Sequence, residues 1–483
     1  MITRRDVLGG SLAAGALLAA GDALAAPDPV AGTLADAAKA LGRRTVSALE
    51  LTDACLARIA AVDPRLNRFI TVTGDEARAM ARDLDRELAR GRRRGPLHGI
   101  PLALKDNIDT AGIRTTAGAK GFADRIPAAD AAVVERLKAA GAVLLGKLNM
   151  DECAYGVTST SGAFGAVHNP WDTTRVAGGS SGGPAAAVAA GLCFGALGTD
   201  TGGSIRQPAA WCGLTGLKPT TGLVSARGVV PLSWSLDHVG PLARTAEDAA
   251  LLLQAIAGFD PLDAASVDAP RTDYPEAASA GVRRLRLGIV RAPYFDELDP
   301  EVAAAVATAV RELESITAGS RDVALPPVPS LALLFVEAAA ALGPAVTANP
   351  DGFSAGIRAL VATGEKITAT DYAKARRELA LVRHAIRPVF QDVDILVTPT
   401  TPDLPSPVDA GAAPARRGPP LSARNTTPFN IYGLPTISVC CGFSRGGLPI
   451  GLQLAGAPFT DGTVLALARA YQQRTDWHRR RPA

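Results

Sequence analysis

The sequence predicts an α/β fold, built as one large domain over residues 26–483. Three observations carry this expectation. "AAVVERLKAAGAVLLGKLNM" (131–150) reads as an amphipathic helix, a glycine stop and an apolar strand. "PAAAVAAG" (184–191) reads as a short helix with proline at its first position and glycine past its end, and "LCFGALGT" follows as a strand. Near the end, "LPTISVCCGF" and "LPIGLQLAG" read as a strand pair, closed by the helix "GTVLALARAYQQRTDWHRRRP". Helices alternating with strands are the signature of α/β organisation. No internal repeat and no linker divides the chain.

The remaining elements follow in order. Residues 32–66 read as helices stopped by Pro64, and 75–91 as another. Arg92 to Arg94 read as a solvated loop rather than an anion site. "GIPLALKDNIDT" (99–110) is a short apolar strand ending in a polar turn. The chain turns polar from Pro261 to Val282, then "RLRLGIVRA" resumes as a strand. Helices are expected over 301–315 and 367–390, and a strand over 394–402. The Pro-, Gly- and Ala-rich run 405–420 reads as a surface loop, with a lid over a site as the alternative.

Residues 1–25 stand apart. Arg4 and Arg5 precede an Ala- and Leu-rich run that ends in Ala23-Leu24-Ala25. A charged start, an apolar stretch too short to span a bilayer and an A-x-A site form an export signal of the twin-arginine type. The expected destination is the periplasm or the medium, with no stable membrane association after cleavage. The mature chain is nearly balanced in charge, 50 Lys and Arg against 47 Asp and Glu over the whole sequence. That balance, with aromatics at 5%, points away from a nucleic-acid or membrane-surface partner. The six cysteines form no C-x-x-C pair and no cluster with histidine, so neither metal nor cofactor is implied. They sit in apolar stretches and are expected to be free and buried.

Two motifs mislead. "GAVLLGKL" fits a phosphate loop up to its last position, where Leu148 replaces the hydroxyl that magnesium needs. "GGSSG" (178–182) fits a nucleophile elbow, with His238 the most tempting base, but two serines and a second serine site downstream do not fit one sharp turn. A hydrogen-bonded structural role suits His238 better.

Three other pieces combine. Lys105 ends an apolar strand, where enclosure lowers an amine's pKa towards that of a usable base. "GGSSGGPAAAVAAG" (178–191) sets Ser180 and Ser181 before a helix, where a hydroxyl is also a natural cap. "GTDTGGSIRQP" (198–208) exposes the backbone N–H groups of Thr201, Gly202, Gly203 and Ser204, a row suited to an oxyanion.

With "LKDNID", "GGSSGG" and "GTDTGGSIRQPAAWCGLTGLKPTTG", the chain resembles the amidase signature family from about Leu41 to Pro482, most weakly between 260 and 390. The resemblance implies a twisted mixed sheet covered by helices on both faces. It makes Ser204 the nucleophile, Ser180 a bridging serine after a cis peptide bond, and Lys105 the base. Thr201 to Ser204 become the oxyanion hole, Ser181, Asp200 and Arg206 support the site, and Cys153, Ala154 and Tyr155 line an acyl pocket. The implied reaction splits an amide into an acid and ammonia or an amine through an acyl-enzyme. The implied partner is a small-molecule or peptide amide, and a homodimer stays open. Aliphatic, aryl and peptide amides and carbamates all remain possible substrates. Within the family the alternative is the A subunit of a tRNA-dependent glutamine amidotransferase, which the export signal opposes. A non-catalytic periplasmic binding protein on the same fold is opposed by the intact Lys105, Ser180 and Ser204.

Overall fold

The computed structural model describes residues 30–410 and 423–482. The stretch 1–25, expected to be an export signal, and most of the 405–420 run lie outside them. One 11-stranded sheet runs through the molecule. Its strands are β1 (Phe69–Val72), β2 (Pro101–Lys105), β3 (Val143–Leu148), β4 (Gly195–Asp200), β5 (Thr215–Lys218) and β6 (His238–Ala243). After these come β7 (Leu287–Ile289), β8 (Ser320–Asp322), β9 (Ile395–Pro399), β10 (Thr436–Phe443) and β11 (Pro449–Gly456). The spatial order is β1-β3-β2-β4-β6-β5-β10-β11-β9-β7-β8. The sheet is mixed: β2 is parallel to β3 and β4, whereas β10 and β11 form an antiparallel pair. Both edges are short, and the exposed edge strand β8 reads Ser-Arg-Asp, a polar edge that discourages pairing with another chain.

Strand alternation places helices on both faces. Along β11, Ile450, Leu452 and Leu454 join the main core with Val464 and Leu467 of the closing helix Asp461–Arg474. The intervening residues face the other way: a Cβ on Gly451 would meet Ala210 of helix Arg206–Cys212, and Gln453 bonds Arg206. A second apolar cluster joins helices Ala332–Ala348, Ala355–Gly364 and Ala369–Ala385 to Leu232, Leu236 and Phe429. Among the described residues no helix is long and apolar enough to cross a membrane.

Most expected elements form within a few residues of the expected ends. Helices Leu34–Gly42 and Ala48–Val62 begin at Thr33 and Ser47, each in a capping box with Asp36 and Glu50. Helix Gly182–Ala189 starts two residues early, so Pro184 is its third residue rather than its first. Arg92 and Arg94 pair with Glu87, as a solvated loop should. Lys147 of the phosphate-loop decoy lies in mid-strand and donates to Ile108 O and Thr115 Oγ1, both at 2.6 Å. All six cysteines are buried, and none is in a disulfide among the described residues.

Candidate active site

The parallel register of β2 and β4 builds the centre of the site. Leu104 pairs with Leu197, so Lys105 at the carboxyl end of β2 reaches Thr199 on β4. Ligand sites in open α/β sheets gather at such strand ends. Lys105 Nζ lies 2.7 Å from Ser180 Oγ, 2.8 Å from Thr199 Oγ1 and 3.4 Å from Thr199 O. Asn107 Nδ2 donates to the same Thr199 hydroxyl at 3.1 Å. The amine is fully buried. Burial pulls its pKa down to about 7, against the opposing pull of Asp151, Asp200 and Asp237.

The peptide bond between Gly179 and Ser180 is cis. Ser180 O accepts from Asp151 N and Ser159 Oγ, both at 3.3 Å. Asp151 in turn accepts from Ser159 N at 2.8 Å and Ser161 Oγ at 2.8 Å. A side chain on Gly179 would overlap the Asp151 carboxylate, so only glycine fits there. Asp151 and Ser159 were not among the residues expected to matter. They sit in a loop that meets Ser180 only in three dimensions, and nothing local in "NMDECAYGVTSTSG" marks them.

Ser181 does not cap its helix. Its Oγ donates to Thr199 O at 3.1 Å, and its N–H donates to Ser204 O at 3.1 Å, so it ties the two serine loops together. Asp200 anchors the second loop. Its carboxylate accepts from Gly203 N at 2.8 Å, Ile205 N at 3.1 Å and Arg206 at 3.0 and 2.9 Å. Burial alone would raise its pKa, but the Arg206 guanidinium outweighs that and holds it well below the usual carboxylate range. Arg206 also donates to Thr426 O, Gln453 Oε1 and Asn430 Oδ1. Asn430 and Gln453 arrive from the far end of the chain and were likewise not expected.

Gly203 has φ +132°, and a Cβ there would overlap the Thr426 hydroxyl. Its N–H is committed to Asp200, which corrects the expected row of four oxyanion donors. The N–H groups of Thr201, Gly202 and Ser204 donate to no group among the described residues. Ser180 is fully buried, whereas Ser204 keeps 8% exposure, so Ser204 is the more accessible of the two serines. Thr201 Oγ1 donates to the half-buried Asp237 at 2.5 Å, and Asp237 also accepts from Leu232 N and Ser233 N.

The other expected residues separate. Cys153 and Ala154 are buried in the second apolar cluster, while Tyr155 is 39% exposed. His238 Nδ1 faces the carbonyls of Leu236 and Asp200, which accept its proton, so Nε2 accepts from Thr221 Oγ1 at 2.9 Å. Burial, then Lys218, holds its pKa well below the ordinary histidine value. It is a structural histidine. Among the described residues no three His, Cys, Asp or Glu side chains group as metal ligands.

A family model for amidases matches residues 50–465. The chain belongs to the amidase family. Among its relatives in that family, the glutamyl-tRNA(Gln) amidotransferase A subunit of Roseiflexus sp. (strain RS-1) is 43% identical over 482 aligned residues, covering 93% of this chain and 98% of that protein. The peptide amidase of Stenotrophomonas maltophilia superposes with a TM-score of 0.83 at 34% identity, covering 93% of this chain and 98% of that one. A solved amidase-fold chain from a vestigial complex tied to the origins of an s-triazine catabolic enzyme superposes with a TM-score of 0.86 at 35% identity, covering 92% and 98%. This amidase family member is therefore a hydrolase-type enzyme acting on amide C–N bonds.

Proposed function

We propose that the chain cleaves a carboxylic amide through an acyl-enzyme on Ser204, with Ser180 and Lys105 as the proton relay. The observation that carries this reading is a buried amine, with its pKa held to about 7, at 2.7 Å from Ser180 Oγ. A neutral Lys105 has two N–H groups and one lone pair. Thr199 O and Thr199 Oγ1 can accept the two N–H groups, which leaves the lone pair for the Ser180 hydroxyl.

The steps balance. Lys105 takes the Ser180 proton as Ser180 takes the Ser204 proton, and Ser204 Oγ bonds the amide carbon. The oxyanion takes hydrogen bonds from the free N–H groups of Thr201, Gly202 and Ser204. The C–N bond breaks as the proton passes to the nitrogen, and ammonia or an amine leaves. Water then cleaves the ester and restores Ser204. Ser204→Ala removes the nucleophile, so turnover should fall roughly 10³-fold or more with an unchanged circular dichroism spectrum. Retained turnover would shift the nucleophile to Ser180.

Two settings for this reaction each have support. The Arg4-Arg5 leader favours an exported amidase that works alone on a small or peptide amide. Relatives 41–43% identical over 92–93% of the chain are named as glutamyl-tRNA(Gln) amidotransferase A subunits, and they favour glutamine as the amide and a partner as recipient of its ammonia. Ammonia or amine release by the purified 26–483 chain separates the settings. Release from primary or peptide amides supports the first, and release from glutamine alone supports the second.

A further inference from the structure

A cavity of about 920 Å³ opens on the molecular surface behind the Ser233–Asp237 loop. It is separate from the catalytic centre, since neither Lys105, Ser180 nor Ser204 lines it. Its volume suits a small organic molecule. Arg376, Arg383 and Arg387 line one side. The first two lie seven residues apart on helix Ala369–Ala385, and Arg387 follows four residues later, so the spacing aligns all three on one stripe.

Their charge is poorly matched within the chain. Arg383 donates to two carbonyls, Ser235 O at 3.0 Å and Ile431 O at 3.1 Å, and pairs with no carboxylate among the described residues. Burial, and then the neighbouring Arg376, pull its pKa down to about 10. Arg376 donates to Ser235 Oγ and comes only within 3.9 Å of Glu337. Arg387 forms no ion pair among the described residues. By contrast Arg227, a fourth arginine at the rim, is neutralised by Glu135 and Asp260. The cavity's two carboxylates are engaged elsewhere: Asp237 accepts from Thr201 and the loop backbone, and Asp263 accepts from Ala226 N at 2.8 Å and Ala265 N at 2.9 Å. Exposed apolar side chains also line the cavity, among them Trp234 at 45% and Phe459 at 43% exposure.

We propose that this cavity is a binding site for an organic carboxylate with an apolar body. The guanidinium forks of Arg376, Arg383 and Arg387 take the carboxylate, and Trp234 and Phe459 cover the body. Like-charged guanidiniums held together at a partly desolvated wall attract an anion more strongly than any one of them alone. The exposed aromatics make an apolar anion a better match than a bare inorganic one.

Phenylacetate is a suitable probe, with phenylacetamide as its neutral counterpart and inorganic phosphate as the anion without a body. Binding to the whole chain is read by calorimetry and by quenching of tryptophan fluorescence, with phenylacetamide titrated into the Ser204→Ala chain so that it is not hydrolysed to the probe. Phenylacetate should bind at least tenfold more tightly than either control. Arg387→Gln, at an exposed position that holds nothing in place, should weaken it about tenfold, and Arg376→Gln should act in the same direction. Trp234→Phe should remove most of the quenching, and Ser204→Ala should leave binding intact. Equal affinity for phenylacetamide, tighter binding of phosphate, or unchanged affinity in Arg387→Gln would each overturn the assignment.

Discussion

Lys105 links the chemistry of the site to the stability of the fold. Its folded pKa of about 7 lies below the value of 10.5 for the amine in water. If it is the base, kcat/KM should rise with pH through about 7, because only the neutral amine accepts a proton. A profile that stays flat between pH 6 and 8 would place the base elsewhere. The same shift predicts a stability effect. Between pH 7 and 10.5 the unfolded chain holds a proton that the folded chain has released, so the lysine's burden on stability is fully present below about 7 and fades as pH approaches 10.5. Lys105→Met should therefore lose activity yet gain more in Tm, relative to the parent, at pH 7 than at pH 9.5. An equal change at both values would mean that the amine is not desolvated. At this scale the sequence was most legible. Lys105, Ser180, Ser204, Asp200 and Arg206 all sit in short peptides whose glycines and apolar runs announce a loop or strand end. Asp151 and Ser159 were not legible, because their meaning lies in a contact with Ser180 that no local pattern encodes.

The elements around the site act as clamps. Glu337, fully buried on helix Ala332–Ala348, accepts from Ser233 Oγ at 2.5 Å, Ser235 N at 3.0 Å and Ser235 Oγ at 2.5 Å. It holds the far side of the loop whose near side, Asp237, grips Thr201. Glu337→Ala would leave those donors without an acceptor, which costs about 1–3 kcal/mol, and calorimetry should record a lower Tm. No change would mean that Asp237 holds the loop unaided. Arg206→Met should be more severe, since it strands the buried Asp200 carboxylate. Removing one partner of a buried pair costs about 3–5 kcal/mol, and a loss under about 1 kcal/mol in denaturant unfolding would contradict the role given to the pair. Helix Ala332–Ala348 was not expected from the sequence. Its run "ALLFVEAAAALGPAVTA" is apolar nearly all round, so no 3.6-residue stripe stands out, and Pro344 lies inside it. Strands β5 and β6 escaped for a related reason. β5 is only four residues long, and β6 contains both glycine and proline, which normally mark a break.

Across the whole molecule, the sheet order brings the middle of the chain and its C-terminal part to one point, with β10 beside β5 and Arg206 joined to Asn430 and Gln453. Closure of that kind follows from long-range pairing, so the α/β class was legible in the alternation of elements while the strand order was not. Where the enzyme works is also a property of the whole chain, and it divides the two settings for the reaction. A twin-arginine pathway recognises the paired arginines themselves, so their charge alone should not suffice. Arg4→Lys with Arg5→Lys keeps the charge and the apolar run while removing the recognised pair. In a bacterial host with that pathway, the parent chain should appear in the periplasmic fraction, shortened by about 25 residues at the A-x-A site, and the double variant should remain inside at full length. The fractions can be read by mass spectrometry of the intact protein. If the parent too remains inside uncut, and the purified chain releases ammonia from glutamine but from no other amide, then the chain belongs with the amidotransferase A subunits that it resembles in sequence.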